Sequence, residues 1–288
     1  MRRNEKIWGW VMVAPLVIGI VMFLIVPLLY SVYAAFSDYD LINAPKFTGF
    51  DNVKRLVADP YFWKSLGKTF INTIGIPFSM GLGLLVALMS NCIKRGTKLF
   101  RTMFFLPAVC SSVAVTFMWK YMLDYGTGIV NWFVEKMGFE RITFFSEELA
   151  MTSMIIMGVW GSIGIISILY YAALKNVPAH YYEAAIIDGA GSWAKFRYIT
   201  MPLISPITLY ILITQFIGAL QDSTRFMVMS GSGNAEALTT TGVYVYKQTF
   251  TFGSPGYAST VAWALGVIII GVTLVNFVVS RKWVSYDT

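Results

Sequence analysis

The sequence predicts an all-α membrane protein with six transmembrane helices. Three observations carry that prediction. Of the 288 residues, 57% are hydrophobic and 13% charged, with a mean hydropathy of +0.64, whereas a soluble domain carries about twice that charged fraction. Six apolar stretches, at 10–36, 70–93, 101–123, 151–174, 203–222 and 258–280, hold no Lys or Arg away from their ends. Each reaches about the 20 residues that a helix needs to cross a hydrocarbon core. Finally, net positive charge concentrates on alternate connecting segments. Backbone polar groups must pair internally in lipid, so these stretches are helices rather than open strands.

The first stretch follows MRRNEK, a basic start that also suits a signal peptide. Its apolar part, 8–30, is too long for one and no A-x-A cleavage site follows, so a retained helix is expected. Pro77 and Pro107 interrupt the second and third stretches, as prolines commonly do in membrane helices. Within the second, Gly75, Ser79, Gly83 and Ala87 recur every fourth residue. Small residues at that spacing let two helices approach closely in lipid.

Basic residues set the orientation. With the N-terminus in the cytoplasm, the inner segments hold 12 basic residues and four acids (Glu5, Glu183, Asp188, Asp287), net +8. The outer segments hold 10 and 11, net −1. The short loop 94–101, KRGTKLFR, marks the inside, and Glu135, Glu140, Glu147 and Glu148 fall in the outer loop 124–150. Both termini are then cytoplasmic. The same asymmetry accounts for a pI near 9.3 without nucleic acid.

Several chemistries are excluded. Cys92 and Cys110 form no C-x-x-C pair and His180 is the only histidine, so no metal-ligand cluster or disulfide framework exists. Gly67-Lys68-Thr69 resembles the end of a phosphate loop, but Phe62 stands where that loop needs glycine; a loop entering a helix is the reading kept. Gly81 and Gly83 lack the third glycine of a dinucleotide fingerprint. Without a phosphate loop the chain cannot hydrolyse ATP unaided.

One inner segment is both long and patterned: LKNVPAHYYEAAIIDGAGSWAKFRYITMPLISP. Pro178 suits a first helical turn, 179–188 reads as a short helix, and Gly189-Ala190-Gly191 breaks it. Ser192 is placed as the N-cap of a second short helix, 193–200, and Pro202 opens the next span. Tyr181, Tyr182, Trp193 and Phe196 stand exposed among charges, a composition suited to a protein interface.

Glu183-Ala184-Ala185, Gly189, Ile199 and Pro202 match the E-A-A, three residues, G, nine residues, I, one residue, L-P pattern of bacterial ABC importer permeases. Met201 replaces the usual leucine, a volume-conserving exchange. The stretches FTGFDNVKRLVADPYFWKSLGKTFINT, LFRTMFFLPAVCSSVAVTFMWKYML and DGAGSWAKFRYITMPLISP resemble carbohydrate-type permeases related to the larger maltose and the glycerol-3-phosphate permease subunits. Gly231-Ser232-Gly233 stands where that family usually has G-G-P. The resemblance implies the binding-protein-dependent, type I importer fold. Residues 1–68 would form an N-terminal helix and external loop. Residues 69–280 would form the core, with the coupling loop at 175–202.

It implies further that Glu183, Ala184, Ala185, Asp188, Gly189, Ile199 and Pro202 dock on an ATPase subunit, with no cofactor bound by this chain, since ATP and Mg would sit on the ATPase. The expected partners are a second, similar permease, two ATPase subunits, an external solute-binding protein, sugar and membrane lipid. The place is the bacterial cytoplasmic membrane. Polar residues inside spans are costly and tend to be functional; these are Gln215, Gln221 and Asp222 in the fifth stretch and Ser162, beside Trp160, in the fourth. Gln215 and Asp222 fall where the maltose relative contacts sugar. Amides, carboxylates and aromatics suit a sugar, so sugar is the expected solute. Glycerol-3-phosphate or another polar solute is the alternative, although a phosphate calls for a paired Arg or Lys in the cavity and the one basic candidate is Arg225, at the outer end of the fifth stretch. A channel or intramembrane enzyme is the reading from another class.

Overall fold

The computed structural model describes residues 2–92, 96–230 and 236–285. Lys94, Arg95, Gly231-Ser232-Gly233 and Asp287 lie outside the described residues, as do the side chains of Arg2, Arg3, Glu5, Lys6, Cys92, Lys98 and Arg101. The chain divides into two compact units, Met1–Lys64 with Tyr244–Val267 and Ser65–Val243 with Ile268–Thr288.

In the first unit, α1 (Arg2–Ile20) passes through a wide turn, Val21–Ile25, into α2 (Val26–Ala35). Together they give a 28-residue apolar helix, Trp8–Ala35, with its most apolar window wholly unburied. Long apolar side chains exposed all round a helix suit lipid, not water. A two-stranded antiparallel ribbon follows, β1 (Ser37–Asp38) and β2 (Lys46–Phe47), a small departure from the all-helical expectation. Its base is tied by Asn52 Nδ2, which donates to the Ala35 and Ser37 carbonyls at 3.1 and 2.9 Å. A Cβ on Gly256 would lie 2.4 Å from the Ser37 carbonyl, so only glycine admits this approach.

Helix α3 (Asp51–Ala58) leads to α4 (Pro60–Asn72). Asp59 accepts the Tyr61 amide at 2.9 Å and Pro60 occupies the first turn, both favoured at a helix start. The other Asp59 oxygen accepts the hydroxyls of Tyr244, at 2.6 Å, and Tyr257. Gln248 donates to Tyr244 at 2.7 Å, and the Arg55 guanidinium lies 4.0 Å over the Tyr257 ring. Burial pushes the Asp59 carboxyl up, but the tyrosine hydroxyls and the backbone amides of Tyr61 and Phe62 outweigh it and hold it below the usual carboxylate range.

In the second unit, α5 (Gly75–Cys92) lies along α9 (Ala150–Asn176). The four-residue series forms the seam. A Cβ on Gly83 would come within 2.4 Å of Ile166 Cγ2, and Ser79 and Ala87 are buried. Pro77 sits in the first turn of α5, and the second stretch breaks just before it, at Thr73–Ile74, where Pro77 has no amide to donate to the Thr73 carbonyl four residues back. Gly67-Lys68-Thr69, read as a loop, is helical within α4, where Thr69 Oγ1 accepts the Thr241 amide at 2.9 Å.

The third stretch is not one straight helix. It comprises α6 (Thr97–Val109) and α7 (Ser112–Met122), and the apolar arm Thr102–Val109 meets α7 at 107°. Pro107 cannot donate a backbone hydrogen bond, and Cys110 is extended, at ψ 149°, just beyond. Gly164 of α9 admits α6: a Cβ there would meet the Phe104 carbonyl oxygen at 2.2 Å. The segment 124–150 holds α8 (Ile129–Lys136), pinned by an Arg141–Glu135 ion pair at 2.8 Å.

Beyond α9 come α10 (Ala179–Ile187), α11 (Ser192–Lys195), a wide turn Phe196–Thr200 and α12 (Met201–Leu203). The chain bends by 64° into α13 (Ser205–Gln221), continued after Asp222 and Ser223 by α14 (Thr224–Ser230). The expected span 203–222 therefore begins at Ser205. Pro202 lies in the arm before it, with Ile204 as the break. Finally α15 (Thr241–Tyr246) and α16 (Pro255–Ser280) carry the chain through both units. By length and composition, four helices among the described residues could cross a membrane: Trp8–Ala35, Pro60–Asn91, Ala150–Asn176 and Pro255–Ser280. The count is up to six if each bent pair is one span.

Candidate functional site

Two places in the second unit combine unusual geometry with the residues singled out above. The first is a cavity of about 420 Å³ among α5, the α6–α7 break, α9 and α13. Small residues open it: Gly75, Ser79, Gly158, Gly161 and Gly218 all line it. Gln215, Ser162 and Asp222 are on its wall, whereas Gln221 and Trp160 are not. Gln221 is the exposed last residue of α13. Trp160 stacks edge-on against Trp119, ring centroids 5.6 Å apart. Those two sit at a helix end and against a neighbouring ring, away from this cavity.

Gln215 makes no side-chain hydrogen bond among the described residues, so its amide is available to the cavity. Ser162 is less free, because its hydroxyl donates back to the Gly158 and Val159 carbonyls, each at 3.0 Å. Asp222 does not continue the helix that carries Gln215. The helix stops at Gln221, and Asp222 caps it in an extended conformation, φ −68° and ψ 105°. Its carboxylate is taken up by Arg225, whose Nε donates to Oδ2 at 2.7 Å and whose Nη2 contacts the same oxygen. Their side chains are only 13% and 20% exposed.

Sequence reasoning left Arg225 as an isolated outer cation; the three-residue spacing from Asp222 was the available signal for the pair. Gly158 makes the site possible, since a Cβ there would strike the Arg225 guanidinium at 2.7 Å. Asn72, also missed, lines the cavity and donates to the Ala219 carbonyl at 3.0 Å, fixing α4 to α13.

The second place is the bent helix pair at 175–202. Helix α10 opens with Pro178 as its cap and ends at Asp188. Gly189 follows at φ +74°, and the Gly189 and Ala190 amides close the helix on the Ile186 and Ala185 carbonyls at 3.0 and 2.8 Å. That is a left-handed C-terminal cap, which glycine adopts without a Cβ penalty. Ser192 is the first residue of α11, with Gly191 as its cap and no side-chain capping bond, so the expected N-cap moves back by one.

Tyr182 and Thr200 hydroxyls meet at 2.9 Å and clip the two arms together, with Thr200 buried. Phe196 and Tyr182 are partly covered, while Trp193 (73% exposed), Tyr181, Ile186 and Ile187 (86%) face outward. Glu183, Ala184 and Asp188 are exposed, and the Glu183 carboxylate has no ion pair among the described residues. Ala185, Ile199 and Pro202 are half-buried. Apolar side chains this exposed around an unpaired acid form a surface fit for a protein partner. Behind the arms, Ala173, Asn176, Val177, Leu203, Ile204 and Ile207 border a second cavity of about 460 Å³. The Ser285 amide reaches back to Ser205 Oγ at the bend, 2.9 Å.

Known proteins share this architecture. The chain aligns over 98% of its length with a chain of the crystal structure of a bacterial ABC transporter involved in the import of the acidic polysaccharide alginate. That alignment covers 96% of the other chain, with a TM-score of 0.85 at 24% identity, and the chain has the all-helical type I ABC permease fold. It is 32% identical to the probable ABC transporter permease protein YesP of Bacillus subtilis, covering 99% of this chain and 94% of that one. It is 34% identical to the lactose transport system permease protein LacF of Rhizobium radiobacter, covering 98% and 97%. A profile of the binding-protein-dependent transport system inner membrane components matches residues 75–284. With more than two thirds of its length in that match, the chain belongs to the binding-protein-dependent transport system inner membrane component family, the permease subunits of ABC transporters.

Proposed function

We propose that this chain is half of the translocation path of an ATP-driven importer for a sugar or oligosaccharide. The observation that carries the reading is the clipped helix pair, with its left-handed Gly189 cap and outward Glu183, standing on the root of the span that walls the cavity. A rigid lever at 179–203 joins α13 through a single break at Ile204. Movement imposed on the lever therefore tilts Gln215 and the Asp222–Arg225 pair together. Sugar is supported by the cavity's hydroxyl-matching groups and by LacF, a relative named for lactose transport. A phosphate solute is disfavoured because Arg225 is already committed to Asp222.

In this reading all six expected spans cross the bacterial cytoplasmic membrane, each bent pair counting as one, with both termini inside. Residues 1–68 form the N-terminal helix and external loop and 69–280 the core. A second permease completes the path, and a solute-binding protein delivers the sugar from outside. Glu183, Ala184, Ala185, Asp188, Gly189, Ile199 and Pro202 seat the lever on one of two ATPase subunits, which hold the ATP and Mg. Affinity purification of the tagged chain tests it. Co-purifying ATPase activity is expected with partners present, and none from the chain stripped of them; hydrolysis by the pure chain would contradict the proposal.

A further inference from the structure

Among the described residues, the charged lining of the 420 Å³ cavity consists of Asp222 and Arg225 alone. They spend their charges on each other through Oδ2, Nε and Nη2. Among the described residues, Asp222 Oδ1 and Arg225 Nη1 have no hydrogen-bond partner, and Nη1 lies against Gly158 on the cavity wall. The pair thus shows the cavity one strong acceptor and one strong donor at no net charge. A hydroxyl both donates and accepts, so neighbouring hydroxyls of a saccharide complement such a pair. A carboxylate would gain one contact from Arg225 and meet Asp222 as a like charge, and an ammonium group would meet the reverse. In a partly desolvated cavity either mismatch is costly.

From this we infer that the Asp222–Arg225 pair is a charge filter that sets the cavity for an uncharged saccharide, with Asp222 as the residue that excludes acidic sugars. The inference rests on the cavity being the solute path. Cys110, an exposed thiol on the same wall, supplies a reporter that needs no knowledge of the natural solute. In the assembled complex carrying Cys92→Ser, modification of Cys110 to a mixed disulfide, with methanesulfinate as the leaving group, would be timed at low salt. The probes are methanethiosulfonates bearing either a sulfonate or a trimethylammonium group.

Relative to a free thiol, the wild-type anion-to-cation rate ratio is expected to shift by less than about twofold. One uncompensated charge on the wall should move it on the order of tenfold. Asp222→Asn should raise the ratio, Arg225→Gln should lower it, and the double variant, neutral again, should restore it, a recovery that mere loss of structure would not give. A wild-type ratio already skewed tenfold, or no change in Asp222→Asn, would overturn the filter. As a second arm, maltotetraose should protect wild-type Cys110 and tetragalacturonate should not, while Asp222→Asn should gain protection by tetragalacturonate. Protection of the wild type by both would overturn the inference and leave the solute path standing. Protection by neither would overturn the solute path, and the inference with it.

Discussion

Gly189 offers a substitution whose cost can be worked from geometry alone. Its φ is +74°, and a Cβ built there meets nothing within 4 Å. A side chain at this position therefore loses no contact and makes no clash; its whole penalty is conformational. An L-residue in the left-handed region costs roughly 1–2 kcal/mol, more for a β-branched one, and asparagine is the residue that best tolerates it. A penalty of about 1–2 kcal/mol shifts a two-state population about 5–30-fold.

Because Gly189 closes α10 on the Ala185 and Ile186 carbonyls directly behind Glu183, the disfavoured state is the capped lever itself. Solute-stimulated ATP hydrolysis of the reconstituted complex should fall in the order Gly189→Asn, Gly189→Ala, Gly189→Val. The first should stay near wild type and the last should lose most of the stimulation. Membrane insertion and assembly, followed by co-purification, should persist through the series. Full stimulation in Gly189→Val would refute the lever, and an equal loss in Gly189→Asn would refute the conformational origin of the effect.

Three further outcomes are expected. Asp222→Ala should weaken uptake of radiolabelled saccharide more than Gln215→Ala. Hydrogen bonds to charged groups contribute about 1.5–3 kcal/mol against about 1 for a neutral amide, and the change also strands Arg225; the reverse order would return Asp222 to a helix-end role. Gly164→Ala should destabilise the chain by about 1–3 kcal/mol, read as a lower thermal midpoint, because its Cβ meets the Phe104 carbonyl, which has no side chain to yield; an unchanged midpoint would refute the close α6–α9 packing. The Asp59 carboxyl is held low, so its stabilisation is present above the unfolded carboxylate pKa and is lost as pH falls through the lower folded value. Thermal unfolding in an acid series should show that loss in wild type but not in Asp59→Asn, and identical profiles would contradict it.

Much of this was legible in the sequence because lipid imposes simple rules. The helices around 10–36, 151–174 and 258–280 came from apolar length, and the α5–α9 seam from the small-residue series at Gly75, Ser79, Gly83 and Ala87. The bent helix pair at 175–202 was readable because Gly189 and Pro178 are residues whose backbone chemistry forces a cap. Breaks were harder. Hydropathy is blind to the 107° turn at Cys110–Ser111 and the 64° turn at Ile204, since both arms stay apolar through the bend.

Pro107 flagged the first break without giving its angle, and Pro202 drew the second two residues too early. The ribbon at Ser37–Asp38 is too short for any periodicity to reveal. Gln215 and Ser162 lie on the cavity wall, whereas Trp160 and Gln221 do not. A polar or aromatic residue in a span says that something must partner it, not whether the partner is a cavity or a neighbouring ring. Arg225 was underestimated because charge was weighed one residue at a time rather than by its three-residue spacing from Asp222.

Uptake into proteoliposomes tests the central claim most directly. The vesicles would hold this chain with its second permease and ATPase, binding protein would be added outside, and radiolabelled saccharide would be counted with and without internal ATP. Uptake is expected only with both ATP and binding protein, and it should be lost in Glu183→Ala while the complex still co-purifies. Saccharide entry without ATP, or wild-type uptake in Glu183→Ala, would contradict an importer driven through this loop.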